Sequence, residues 1–373
     1  MKNPDQFIYI GMDIHKETHA ACVTDCFSRV IWEKQISNNE NGFKSLVAQV
    51  KKLSLLSGKE PIFGLEDTYG NGLLLANFLA HSGFKIKTVN PVLVDRARRK
   101  TTHPEKSDLL DAKRVARVLI HEGIDTLPNY NLSQQNQIAK ELRELNNDRE
   151  YLVKEQTRLK NQLHALIHLV WGNAYKEIYK NFFSKGSLNF LISNPLPKKA
   201  SNIPFSLEIT RSRMKRKTQR LLDIKEEIKT IEKELKTLVL KTDQKLESLN
   251  GCGLVLTAQI LAEAKDINRF PNAGSLAKYA GIAPREKSSG KSFHHQKTKS
   301  GNRRLNTAIH HIGLSQIGRR GNDYAKAYFQ KKISEGKTKK QALACLKRKL
   351  VNIVYAMLKN KSVYSYGQEP LLT

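Results

Sequence analysis

The sequence predicts an α/β domain at the N-terminus followed by long, helical, strongly basic regions. Three observations carry this reading. Three β-rich runs stand close together at the start and give way to alternating helix and strand patterns. Leucines then recur at seven-residue spacing. Charge is divided unevenly: the chain holds 64 Lys+Arg and 35 Asp+Glu, a net of +29. Residues 1–125 carry 18 and 15 of these, a net of +3, which leaves 46 and 20, a net of +26, for the other 248. With 39% hydrophobic and 27% charged residues, the chain is neither wholly disordered nor fibrous.

The elements follow in order. Phe7–Ile14 is a β-rich run, and a polar turn through His15–Thr18 leads to a second strand, His19–Thr24. Arg29–Ile36 supplies a third, so two hairpins are expected. A helix is predicted over Asn41–Leu55 and a short strand over Ile62–Glu66. A helix near Asn71–His81, ended by Gly83, precedes a strand over Lys85–Val89 that Pro91 stops. Ser107 then caps a helix from Asp108 to His121, closed by Gly123. Three antiparallel strands followed by alternating helix and strand match the ribonuclease H-like order, although other α/β folds fit the same pattern.

Beyond residue 125, Leu145, Leu152, Leu159 and Leu166 form a heptad series, with Leu142 and Leu163 in its seam and Arg149 and Gln156 interrupting it. Leu221, Ile224, Ile228, Ile231, Leu235 and Leu238 form an unbroken second series. Together they predict two coiled-coil arms, packed on each other or on a second chain; an ordinary helical bundle also explains the first. Between them, Trp171–Ser206 holds Pro195, Pro197 and Pro204 and reads as an irregular insert. From about Leu246 the chain is helical, with a turn-rich loop at Ala283–Gly301. A final helix, Lys339–Leu358, gathers Leu343, Leu346, Leu350, Ile353 and Met357 on one face. The expected organisation is an α/β domain at 1–125, a coiled-coil region at 126–245 with its insert at about 171–206, and a helical C-terminal domain at 246–373.

Several classes are set aside. No apolar run approaches the ~18 residues needed to span a bilayer. MKNPDQF lacks the apolar core and small-residue cleavage site of a secretory signal. Cys22, Cys26, Cys252 and Cys345 make no CxxC pair, which suits a reduced, cytoplasmic protein. The positive surplus makes nucleic acid the first expected partner and acidic membrane the second.

Four acids stand out. Asp13 lies inside the apolar strand FIYIGMDI, and Glu66 closes PIFGLE in the same way. A carboxylate in such a place must be paired, exposed at a strand end or bound to a cation. Asp108 and Asp111 are three apart on one helix and share a face. Acids in a first helical turn also complement the helix dipole, which alone explains many such pairs. All four in this order favour a two-metal phosphoryl-transfer site, because Mg²⁺ takes hard oxygen ligands and can flank attacking and leaving oxygens. Asp67 and Asp95 are weaker candidates.

In the basic part, LNGCGLVLTAQILAE fits a helix–hairpin–helix, where Gly251 and Gly253 would let backbone N–H groups approach a phosphate. A plain glycine-containing turn explains it equally well. Ser288 and Ser289 precede Gly290, and Lys291, Lys297, Lys299, Arg303 and Arg304 follow. A serine beside several cations can act as a nucleophile, although Ser-Ser-Gly is also ordinary turn chemistry. His294–His295 and His310–His311 lack a cysteine pair and read as surface or phosphate-facing histidines rather than a zinc site. Arg96, Arg98, Arg99 and Lys100 form one basic cluster, and Arg211, Arg213, Lys215, Arg216, Lys217 and Arg220 another. The second lies where the second arm begins, so nucleic acid can run along it, unless both clusters are simply solvated faces.

Taken in order, YIGMDIHKE, GLEDTYGNG followed by VNP, KSDLLDAKRVA, and the stretch from LNGCG through KYAGIAPREKSSG to KSGNRRLN resemble the motifs of the insertion-sequence-110-type transposases, the bridge-RNA-guided recombinases. The resemblance runs over nearly the whole chain. It implies a Holliday-junction-resolvase-like first domain in which Asp13, Glu66, Asp108 and Asp111 bind Mg²⁺, with Mn²⁺ able to substitute. It implies a nucleophilic serine just before a glycine, which maps onto Ser289 with Ser288 as its nearest rival. In the family the serine comes from another protomer, DNA becomes covalently linked to it, and a structured RNA pairs with donor and target DNA. The resemblance therefore implies double-stranded DNA at element ends and target, a guide RNA, a dimer assembling to a tetramer, and a bacterial or archaeal, nucleoid-associated setting. Many members carry a small residue where this chain has Asp67, which leaves open which acids touch the metal.

The leading expectation is a Mg²⁺-dependent DNA recombinase that excises and inserts a mobile element through a phosphoserine intermediate. A metal-only, junction-resolvase-like nuclease is the second reading. A non-catalytic nucleic-acid-binding scaffold is the third.

Overall fold

The computed structural model describes residues 3–68, 70–99, 107–130, 134–173, 176, 181–193, 207–289, 292–296 and 300–365. The chain forms two compact units, Met1–Ser133 and Gln134–Thr373.

The first unit runs β1 (Phe7–Ile14), β2 (Thr18–Thr24), β3 (Val30–Ser37), α1 (Glu40–Ser57), β4 (Glu60–Leu65), α2 (Leu73–His81), β5 (Lys85–Thr88), α3 (Pro91–Arg98) and α4 (Asp108–Glu122). The strands form one sheet in the order β3-β2-β1-β4-β5. β1 pairs antiparallel with β2 and parallel with β4, β2 pairs antiparallel with β3, and β4 pairs parallel with β5. This mixed five-stranded sheet is compatible with a ribonuclease H-like fold. The β2–β3 turn is built by Asp25, whose Oδ1 accepts the Phe27 and Arg29 amides at 2.9 and 2.8 Å.

Side-chain alternation decides which residues face which helix. Ile8, Ile10 and Met12 of β1 pack with Phe43, Leu46 and Val50 of α1 and Leu75 of α2. Phe7 and Tyr9 face the other way, onto Val115, Ala116 and Leu119 of α4. Gly11 and Asp13 share the parity of Tyr9, so the acid projects on the α4 side. The glycine beside it is required there. A Cβ on Gly11 would stand 2.0 Å from the Ala112 carbonyl oxygen and 2.5 Å from the Ala116 nitrogen. Gly64 lies beside Gly11 in the β1–β4 register, and its Cβ would meet the Leu119 side chain at 2.8 Å. Ala20 and Cys22 of β2 meet Ala112 on the same face. Small residues thus let α4 lie against the backbone of the central strands.

Two expectations need correcting here. Pro91 does not simply end a strand; it opens α3, with Asn90 accepting the Val92 amide as N-cap. Proline at the first helical turn lacks only a donor that would be unpaired anyway. β4 ends at Leu65, so Glu66 follows the strand rather than closing it.

The second unit contains α5 (Gln134–Trp171), α6 (Lys185–Ser193), α7 (Leu207–Lys241), α8 (Leu254–Ala264), α9 (Ala273–Tyr279), β6 (Arg285–Ser289), β7 (Ser292–Gln296), α10 (Arg303–Ile317), α11 (Asp323–Ser334) and α12 (Lys339–Asn360). The two leucine-rich arms are α5 and α7, and they pack on each other. Leu142 clusters with Leu235 and Leu238. Leu152 and Leu159 cluster with Ile224 and Ile228, and Leu163 and Leu166 with Met214 and Leu221. The pairing therefore runs antiparallel. Arg149, which breaks the leucine series, reaches Glu232 across the seam at 2.8 Å. The arms' inner end shares one core with α8, α10 and α12, including Leu249, Ile260, Ile312 and Leu350. In α12, Leu346, Leu350 and Met357 are fully buried, while Leu343 and Ile353 pack at the core's margin.

Two stretches are more regular than their composition suggests. Part of the region between the arms is α6, which buries Leu188 and Leu191 against Met214 and Leu221; Pro195, Pro197 and Pro204 lie outside the described residues. The expected loop at Ala283–Gly301 contains a hairpin, in which β6 and β7 pair antiparallel from Arg285↔Gln296 to Ser289↔Ser292.

Candidate active site

The acids of the first unit converge where the parallel strands β1 and β4 end. Asp13 is the seventh residue of β1, Glu66 immediately follows β4, and Asp108 and Asp111 lie in the first turn of α4. Ser107 fixes that turn by accepting the Leu110 amide at 3.2 Å. His15, two residues beyond Asp13, joins strand and helix: its Nε2 lies 3.1 Å from Asp13 Oδ2 and 3.2 Å from Asp108 Oδ1. Gln35 of β3 donates from Nε2 to Asp108 Oδ2 at 3.4 Å. Arg114, one turn along α4, donates to Asp111 Oδ1 at 2.6 Å, and both side chains are largely buried.

The electrostatics tie Glu66 and Asp111 to the same place. Burial raises the Asp13 carboxyl above its ordinary range; His15 opposes this, while Asp111 and Asp108 add to it. Glu66 is pushed up to about 7 by burial and by the negative charges of Asp13 and Asp111, with Arg98 offsetting part of the rise. Carboxylates forced together out of water are destabilised as anions until something positive joins them.

A divalent cation suits this donor set. The oxygens are hard ligands, two of the acids resist ionisation because they are buried and stand near other carboxylates, and one ligand atom each from Asp13, His15 and Asp108 fall within 4.8 Å of one another.

A pH dependence follows from Glu66. Its folded pKa of about 7 lies above the ordinary 4.5, so its contribution to stability is intact below about 4.5 and is lost as pH rises through 7. Allowing for its partial contact with water, the loss is about 1–2 kcal/mol. Metal-free protein is expected to melt at a lower temperature at pH 8 than at pH 5, and Glu66→Gln should flatten that difference. Thermal melts of both proteins in chelator check this; equal slopes would count against it.

The remaining sequence candidates are placed as follows. Asp67 organises its own loop, accepting the Gly70 amide through Oδ1 at 2.7 Å. Asp95 pairs with Arg98 and Arg99 on α3 at 2.6 and 2.8 Å. Neither belongs to the Asp13–His15–Asp108 group, which also leaves out Glu66 and Asp111; those two are tied to it through the charges that raise Asp13 and Glu66. Ser288 and Ser289 are the last two residues of β6, and Lys291 and Lys299 lie outside the described residues. Gly251 has a φ of 83°, and a Cβ there would meet Ser315 of α10 at 2.7 Å. Gly253 is the N-cap of α8 and makes no side-chain cap bond. A short 3-10 turn, Leu246–Ser248, precedes it, so the motif is a turn between α7 and α8. Arg303 and Arg304 open α10. Arg211, Arg213, Lys215 and Arg216 are exposed along the first turns of α7.

Composition drew attention to the acids and missed the groups that hold them. His15 was legible as the residue two beyond Asp13, just past the end of β1. Arg114 was legible as the i+3 partner of Asp111. Gln35 carried no signal of its own, because only the β2–β3 pairing brings it to Asp108.

The same regions carry the likeness to known proteins. Residues 10–171 match a family model of DEDD transposases of the IS110 type, and residues 243–330 match the model described as "Transposase IS116/IS110/IS902 family". The uncharacterized protein of insertion element IS116 from Streptomyces clavuligerus is 25% identical over 96% of this chain and 96% of its own. The transposase for insertion sequence element IS1111A from Coxiella burnetii is 23% identical over 96% of this chain and 91% of its own. The pilin gene-inverting protein of Moraxella bovis is 25% identical over 94% and 95%. The fold, the acid site and these matches define a DNA transposase/recombinase. More narrowly, the chain belongs to the IS110-type transposases. Its substrate is therefore DNA. Among the described residues, no helix is long and apolar enough to cross a membrane.

Proposed function

We propose that this transposase cuts and rejoins DNA through a covalent phosphoserine intermediate, with Asp13, Glu66, Asp108 and Asp111 holding Mg²⁺ and Ser289 as nucleophile. The observation that carries the metal half is the convergence of those four acids at the ends of β1 and β4, with Glu66 pushed up to about 7 by burial and by the charges of Asp13 and Asp111. Bound there, the cation would polarise the phosphate and stabilise charge on the leaving oxygen.

The chain's own residues divide the other tasks. Arg114 and His15 orient Asp111 and the Asp13–Asp108 pair, so the carboxylates are set before DNA arrives. Ser289 Oγ gives up its proton and bonds to phosphorus as the bond to one deoxyribose oxygen breaks, and that oxygen takes up a proton. Rejoining is the reverse, with an incoming deoxyribose hydroxyl displacing the serine. Ser289 is the last residue of β6 and pairs with Ser292 of β7, which supports a role for it at the end of the hairpin. Cationic Arg303, Arg304, Arg211, Arg213, Lys215 and Arg216 grip backbone phosphates, and the N–H groups beside Gly251 and Gly253 contribute to that grip. A structured guide RNA supplies sequence choice by base pairing, and protomers assemble as dimers and tetramers, as in the family the chain resembles.

Ser289→Ala and Ser288→Ala separate this from a metal-only nuclease. On denaturing gels with labelled DNA, Ser289→Ala should abolish the protein–DNA adduct, while Ser288→Ala should retain it within about tenfold, as for a neighbour that does no bond-making. An undiminished adduct in Ser289→Ala removes that residue as nucleophile. Cleavage without any adduct in the wild type leaves the metal-only reading.

A further inference from the structure

Glu263 is the one charged residue of a largely apolar helix. α8 reads LVLTAQILAEA, and Ala258, Ile260, Leu261, Ala262 and Ala264 around it are buried. Glu263 itself is 3% exposed. Burying a carboxylate costs several kcal/mol unless its oxygens are satisfied, and an apolar side chain would serve the core at least as well. Something other than packing accounts for it.

The bonds Glu263 makes lead to one place, the foot of the β6–β7 hairpin. Glu263 Oε2 accepts from Asn302 Nδ2 at 2.6 Å, a short charge-assisted bond. Arg143 Nε of α5 and Arg304 Nη1 of α10 stand 3.7 and 3.9 Å from Oε1, balancing the charge without competing for Asn302. Asn302 does three more things. Its Oδ1 caps α10 through the Leu305 amide at 2.9 Å, its Nδ2 reaches Tyr279 Oη at 3.1 Å, and its own amide donates to the Tyr279 carbonyl at 2.7 Å. Tyr279 is braced in turn by Arg269, whose guanidinium lies 4.6 Å from the ring centroid and donates to the Glu263 carbonyl at 3.1 Å.

These contacts clamp both ends of the hairpin segment. Gly281 and Gly301 touch so closely that a Cβ on Gly301 would fall 2.6 Å from the Gly281 nitrogen. Asn306 Nδ2 donates to the Ala280 and Gly281 carbonyls at 2.8 and 3.2 Å, closing the ring from the α10 side. The chain between the clamped ends carries Ser288 and Ser289 on β6.

We propose that Glu263, acting through Asn302, is a positioning residue for the serine hairpin. It fixes the foot from which β6 and β7 project, and so sets where Ser289 meets DNA. This rests on the reading of Ser289 given above. A nucleophile displaced by about 1 Å loses about 100-fold in rate, so a rigid foot matters to a group at the far end of a five-residue strand.

The amide and carboxylate can be exchanged to test it in the full-length protein. Asn302→Asp keeps an oxygen to cap α10 but sets a second acid against Glu263. Glu263→Gln keeps an acceptor for Asn302 and removes the charge. The double variant, Asn302→Asp with Glu263→Gln, rebuilds the bond with its direction reversed and the charge restored. Asn302→Asp is expected to slow adduct formation about 100-fold with DNA affinity unchanged, and to speed amide exchange across 285–296 about tenfold, the protection one such bond supplies. The double variant should recover most of both losses. If Asn302→Asp does not fold, Glu263→Gln against the double variant gives the same comparison, the single variant losing about tenfold in adduct rate. Unchanged hairpin exchange in the single variants overturns the proposal, as does a rate loss that tracks melting temperature and is not recovered by the exchange. An adduct surviving Ser289→Ala overturns the nucleophile assignment instead, and the exchange measurement then still decides the role of Glu263.

Discussion

Replacing Asp13 by Asn is expected to lower DNA strand cleavage by at least about three orders of magnitude, the several kcal/mol that a bound cation contributes to phosphoryl transfer. Asp13 is singled out because it sits at the centre of the acid group. It touches His15 at 3.1 Å, and its carboxyl is raised by burial and further by the charges of Asp111 and Asp108. The same substitution should not harm the fold. Removing one of several mutually repelling carboxylates relieves electrostatic strain, so the melting temperature of metal-free protein should hold or rise. DNA affinity at fixed salt should also hold or rise, because a negative charge near phosphate is gone. Asp67→Asn is the matched control: an amide oxygen can still accept the Gly70 amide, and cleavage should stay near wild type. Wild-type cleavage by Asp13→Asn, measured with Mg²⁺ saturating, would show that the acids are structural.

Gly11→Ala is expected to damage both the packing of α4 on the sheet and the acid site. The new Cβ would lie 2.0 Å from the Ala112 carbonyl oxygen and 2.5 Å from the Ala116 nitrogen, both backbone atoms of α4. Neither can rotate away, so the helix must lift from the sheet. Overpacking of this kind costs about 3 kcal/mol, which for a unit of this size lowers the melting temperature by about 10 °C. The lift also carries Asp108 and Asp111 away from Asp13, so divalent-cation affinity should fall by more than the stability loss alone explains. Gly64→Ala is the informative comparison. Its Cβ meets the Leu119 side chain, which can change rotamer, and the cost should be below that of Gly11→Ala. Thermal melts and cation titrations of the two variants check the order; equal effects would mean that α4 is not held by its contact with β1.

Much of the first unit was legible because its signals are local. Phe7–Ile14 alternates two buried faces, Ser107 is a standard N-cap, and Gly123 ends α4 with a φ of 80°. The acids were legible because a carboxylate among apolar strand residues requires a partner. What escaped depends on distant pairing. Pro91 is compatible with both a strand end and a helix start, and only Asn90 tips the balance. The hairpin strands REKSS and SFHHQ hold a single apolar residue, Phe293, so they lack the alternation that marks a strand, and cross-strand backbone pairing joins them. Glu263 could be seen as an acid in an apolar run. Its bond to Asn302, 39 residues away, could not.

The antiparallel arms have a mechanical consequence. α5 is 38 residues long, and at about 1.5 Å per residue it reaches about 57 Å. Its inner end is anchored in the helical core through Leu142, and its outer end, with Leu163 and Leu166, meets the part of α7 that bears Arg211, Arg213, Lys215 and Arg216. The arms therefore act as a ruler. They hold a cationic tip at a set reach from the core: from Leu142 to Leu166 is 24 residues, about 36 Å, comparable to the length of about 11 base pairs at 3.4 Å each. Deleting one heptad from each arm keeps the seam in phase and shortens that reach by about 10 Å, or about three base pairs. On the proposed reading of that tip as a phosphate grip, the number of heptads in the arms sets how far from the core it takes hold of a strand.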